Sequence, residues 1–77
     1  METAYITQLD NKGTPIMLFR FRGDDNKSSE EYLEGDVWVQ DNSLISVLRD
    51  LHNPQYKEIK ETEATEIAKQ LGGSIHD

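Results

Sequence analysis

The sequence predicts an α+β fold: a small antiparallel sheet of two hairpins plus a short edge strand, covered by two helices at about 43–52 and 61–71. Three observations predict it. Two stretches, Leu44-Val47-Leu48-Leu51 and Ala64-Ile67-Ala68-Leu71, repeat apolar residues at i, i+3, i+4 and i+7, the stripe of a helix lying on a covered surface. Met17 to Arg22 and Val37 to Val39 alternate instead, the two-residue period of strands. The order of elements, four strands, a helix, a short strand and a helix, lacks the regular alternation of a doubly wound parallel sheet.

Taken in order, Ala4 to Leu9 forms a first strand, and Asp10-Asn11-Lys12-Gly13 supplies the residues of a hairpin turn. Pro15 fits the start of the second strand, where its missing N–H breaks no ladder bond. In Ile16 to Arg22, Met17, Phe19 and Phe21 share one face; Ile16, Leu18, Arg20 and Arg22 share the other. Residues 23–31 are polar without period and read as a mobile loop. Tyr32-Leu33 and Val37-Trp38-Val39 pair around Glu34-Gly35-Asp36. A three-residue turn there sets Leu33 against Val37 on one side and Tyr32 against Trp38 on the other.

Asp41-Asn42-Ser43 supplies capping oxygens ahead of the first apolar stripe, and that helix ends by Asn53 because Pro54 disfavours helical geometry before it. Tyr56 to Ile59 is a short edge strand. The second helix opens with Glu61, Glu63 and Glu66 toward its positive end, carries Lys69 toward its negative end, and stops at Gly72-Gly73. Residues 74–77 read as a frayed tail, and residues 1–77 as a single domain.

A chain of 77 residues has room for one core, and stability scales to roughly 4 to 11 kcal/mol. Cysteine is absent, so packing must hold the fold, which suits a reducing cytoplasm. The first residues lack the basic start and apolar run of a secretory signal, and no stretch has the roughly 20 apolar residues that span a bilayer. Fifteen acidic residues against eight basic ones give a formal charge of −7, spread evenly along the chain. That balance argues against direct binding of nucleic acid or of anionic membranes, which need clustered lysine and arginine.

Catalytic motifs are missing. His52 and His76 have no second ligand at metal spacing, and Asp24, Asn26 and Ser28 begin a calcium-loop pattern that fails where glycine and glutamate are required. No nucleophile elbow or phosphate-binding glycine loop occurs. Neither an enzyme nor a cofactor or metal site is expected. Arg22-Gly23-Asp24 and Asn26-Lys27-Ser28 spell an integrin tripeptide and a glycosylation acceptor, both accidental in a chain that is not exported.

One surface stands out. Arg20, Arg22, Tyr32 and Trp38 are of the types that dominate binding hot spots, and an arginine over an aromatic ring contributes about 0.5 to 1 kcal/mol when exposed. The alternative is that the helices cover this face, making Trp38 core and the arginines its rim. The sequence does not say which face is covered.

The run from Gly35 to Leu44, followed by Tyr56-Lys57-Glu58-Ile59 and Glu61-Thr62-Glu63-Ala64, resembles small uncharacterised actinobacterial proteins. In these a tryptophan strand runs into a capped helix and a second, acidic-start helix closes the chain. The resemblance covers residues 31 to 71 and implies a bacterial cytosolic protein without implying a function; Lys60 stands where the pattern has a capping serine or threonine. The expectation is a small acidic monomer that binds another protein or regulates it. The rival is an acidic decoy that mimics nucleic acid toward a basic protein, drawing on the six acids between Asp24 and Asp36.

Overall fold

The computed structural model describes residues 2–23, 28–50 and 52–75. In chain order the elements are β1 (Glu2–Leu9), β2 (Pro15–Gly23), β3 (Ser28–Glu34), β4 (Val37–Gln40), a 3₁₀ turn (Asn42–Leu44), α1 (Ile45–Arg49), β5 (Tyr56–Ile59) and α2 (Glu61–Gln70). The strands form one sheet in the order β4-β3-β2-β1-β5, with every neighbouring pair antiparallel.

This corrects the expected two-helix α+β arrangement. The molecule is mostly β, and among the described residues α2 is the one helix longer than five residues. Where a helix over 43–52 was expected stand a three-residue 3₁₀ turn and the five residues of α1. The Asp41 carboxylate accepts from the Ser43 N–H at 3.0 Å, an Asx-type turn that competes with an α-helical start, while Pro54 bars helical geometry at the far end. Of the expected apolar stripe, Leu44 and Val47 both pack on the sheet. Leu51, its last member, lies outside the described residues.

Residues 28–31, expected in a loop, are strand. They pair along β2, where Arg20 faces Glu31, Phe21 faces Glu30 and Arg22 faces Ser29. Residues 24–27 of that expected loop lie outside the described residues, as do parts of the tripeptide and glycosylation strings. The β3–β4 turn has two central residues, because Glu34 pairs with Val37 and Leu33 with Trp38. Gly35 has φ +65° and no described residue other than glycine has a positive φ, so Gly35-Asp36 is a type II′ turn with glycine first. One residue fewer in the turn reverses the expected facing. Trp38 joins the face of Leu33, and Tyr32 goes to the other.

Both faces of the sheet are covered. On one, Leu18, Leu33 and Ile59 pack with Ala64, Ile67 and Ala68 of α2. On the other, Ile6, Phe19 and Phe21 pack with Val47, and Tyr32 and Tyr56 lie at the margin. The helix ends in a Schellman motif, with Gly72 N–H bonded to Lys69 C=O at 3.1 Å and Gly73 N–H to Ala68 C=O at 2.8 Å.

The expected frayed tail is folded back at least through Ile75, which is 4% exposed and belongs to the α2-side core. Residues 76–77 lie outside the described residues. Gly73 lets this return pass over the β3–β4 turn, since a Cβ there would run into the carbonyl of Gly35.

Candidate functional site

The α2 face of β2, β3 and β4 carries a short chain of polar contacts. Arg20 lies between Tyr5 and Glu31 in the ladder. Its Nε donates to Glu31 Oε1 at 3.0 Å, with Nη2 also 3.0 Å from that oxygen. Arg22 Nη2 donates to Glu31 Oε2 at 3.3 Å. Its Nε is 3.1 Å from Oε1, a Coulomb contact without hydrogen-bond alignment, which leaves that buried N–H without a bond. One carboxylate thus faces two guanidinium groups.

Burial decides what this arrangement is for. The Arg20 and Glu31 side chains are 8% and 10% exposed, so neither ion can be left alone without a large desolvation cost; Arg22, at 38%, reaches solvent. The Arg20 Cζ stands 4.3 Å from the Trp38 ring centroid, and Trp38 Nε1 donates to the Ile75 carbonyl at 3.0 Å. Arg20 is therefore locked between a carboxylate and an indole, and the indole is tied to the returning tail.

Of the four residues singled out from sequence, the structure brings Arg20, Arg22 and Trp38 together and separates Tyr32. Tyr32 packs beside Phe19 and Phe21 on the opposite face. Sequence reasoning missed Glu31 and Ile75. The signal for Glu31 was two arginines at alternate positions on one strand face, which need a counter-ion when covered. Ile75 carried none beyond being an isoleucine in a polar end.

Beside this network is an open depression of about 380 Å³ lined by Arg20, Arg22, Glu31, Asp36, Val37 and Trp38. Val37 is 59% exposed at its rim. A larger hollow of about 670 Å³ lies between β1, β5 and the start of α2, where Glu58, Lys60, Glu61 and Glu63 are all exposed. Just beyond β4, the Asp41 carboxyl sits below the usual aspartate range because the Ser43 hydroxyl (2.7 Å) and N–H bond its charged form. Among the described residues no group of three or more His, Cys, Asp or Glu is placed to hold a metal, and no helix is long and apolar enough to cross a membrane.

Compared with protein families, curated proteins and solved structures, the chain finds no match.

Proposed function

We propose that this protein is a non-enzymatic interaction module that binds another protein through the β3–β4 end of its sheet. The observation that carries the reading is the depression beside Trp38. There a solvent-reaching arginine, a half-buried indole and an exposed valine adjoin on a rigid strand scaffold. Tryptophan and arginine are enriched where binding energy concentrates, and buried neighbours hold these two in place without a partner. The lack of cysteine supports a cytoplasmic setting.

Nucleic-acid mimicry has less to draw on. Of the six acids between Asp24 and Asp36, Glu30 and Glu31 are buried and Glu31 is neutralised by two arginines.

The test is capture of partners from host extract by the immobilised wild-type chain and by the variants Arg22→Glu and Val37→Asp, each first checked for an unchanged far-ultraviolet spectrum. Both substitutions are at solvent-reaching positions, so the expected result is a captured protein lost in both variants. Equal capture by all three forms would remove this face from the function.

A further inference from the structure

The strand that borders the depression is also an edge of the sheet, and its backbone has capacity to spare. The two-residue turn makes Glu34 and Val37 the pair that exchanges both ladder bonds; Val39 follows, and Asp41 N–H reaches Glu30 C=O at 2.9 Å. Alternation along an antiparallel ladder therefore turns the N–H and C=O of Trp38 and Gln40 away from β3. None of the turn and loop backbone bonds among the described residues takes them up. The strand itself, Val37-Trp38-Val39-Gln40, holds no charge and no proline, two of the devices that keep an edge single.

We infer that β4 is a strand-addition site that takes an extended segment of a partner protein, apolar at alternate positions and carrying lysine or arginine at its ends. The inference rests on the interaction reading above and names the partner's chemistry. Charge selects the occupant. Glu34 and Asp36 stand at one end of β4 and Asp41 at the other, in a chain of formal charge −7. A second copy running antiparallel about Trp38 would set Asp36 of each chain opposite Gln40 of the other, one residue from its Asp41, gathering carboxylates at both junctions. A basic-ended segment turns the same junctions into attraction. Its alternating side chains lie beside Val37 and Val39 on one face and Trp38 on the other, the β-branched and aromatic neighbours that favour valine, isoleucine or threonine across a strand pair.

The probe is a synthetic peptide with a valine-threonine-valine-threonine-valine centre and two lysines at each end, added to the isotope-labelled full chain and followed by amide resonances. The expected result is saturable shifts at Trp38 and Gln40. N-methylation of alternate peptide amides should weaken binding about tenfold, because each lost edge bond is a sizeable part of a small affinity. Glutamate ends should weaken it too, with the gap closing at about 1 M salt, where the Debye length falls to about 3 Å. The variant Gln40→Pro removes an outward N–H without touching the ladder to β3 and should match the N-methyl effect.

Shifts confined to β5 or α2, equal binding of the methylated peptide, or no shift at about millimolar peptide would overturn the inference. So would concentration-dependent shifts of the Trp38 and Gln40 amides without peptide, which would make the occupant a second copy. A captured partner that is lost in Arg22→Glu yet leaves these two amides unmoved keeps the interaction reading and sinks strand addition alone.

Discussion

The sheet ends in two strands of four residues each, and they differ in what decides whether an edge stays single. β4 reads Val-Trp-Val-Gln and turns the backbone groups of Trp38 and Gln40 outward. β5 reads Tyr-Lys-Glu-Ile, with Lys57 and Glu58 exposed and Lys60 just beyond it. The register with β1, together with Leu9 N–H bonded to Gln55 C=O at 2.7 Å, turns the groups of Tyr56 and Glu58 outward, but Tyr56 N–H is already held by Asn53 C=O at 3.0 Å. The turn that leads into β5 therefore closes part of its edge, whereas the type II′ turn that leads into β4 leaves its edge open. The lesson is that length and antiparallel pairing do not set an edge's behaviour; the incoming turn and the flanking charges do.

The comparison extends inward, and its largest break lies there. β4 sits over a buried ion network, while β5 places Ile59 directly against α2. Glu31→Ala should cost about 3 to 5 kcal/mol, because it strands Arg20 inside the protein without its counter-ion. Glu58→Ala on the exposed edge should stay within about 0.5 kcal/mol. Urea unfolding measures both. For a chain of this size the first loss takes up most of the stability, and a Glu31→Ala loss below about 1 kcal/mol would class the network with solvated surface pairs.

The next effect concerns what holds the two ends down. Ile75→Ala should cost about 2 to 4 kcal/mol, near the low end for a buried isoleucine at the margin of a core. Its signature separates it from general weakening. The indole loses the cover of the returning tail, so Trp38 emission should move to longer wavelength in the folded state, and amide exchange should speed up in β4 more than in β5. Equal acceleration at both edges would mean that the tail does not hold β4 in particular.

These contrasts also explain what could be read in the chain. The strands β1, β2, β4 and β5 and the helix α2 were legible because each has its own period or its own punctuation within a few residues: the Phe19-Phe21 alternation, Pro15, Pro54, and Gly72-Gly73. The first half of β3 was not, since Ser28–Glu31 are polar and become strand only through residues on β2. The Leu44-Val47 stripe was legible as a covered surface but not as a short helix, because a local Asx turn at Asp41 decides how the backbone starts. Of the candidate site, Arg20, Arg22 and Trp38 were legible from strand parity. Tyr32 was misplaced by a single residue in the β3–β4 turn, the smallest error that reverses every facing. Glu31 and Ile75 act through long-range contacts: the two arginines on one strand face called for a counter-ion without naming it, and nothing local marked Ile75.

The smallest effect on stability gives the sharpest view of the two edges. Replacing Lys57 and Glu58 together by valine removes both guarding charges from β5, leaves the formal charge of −7 unchanged, and makes its composition resemble that of β4. Both positions are exposed, so stability should change by no more than about 0.5 kcal/mol. If charge alone closed this edge, the doubly substituted strand would now accept the lysine-ended peptide and its Tyr56 and Glu58→Val amides would shift. The expected outcome is that they stay still, because the outward N–H of Tyr56 remains bonded to Asn53 and an added strand would lose the bond that starts its ladder. Saturable shifts at those amides would show instead that the two charges, rather than the turn at Asn53, separate the closed edge from the open one.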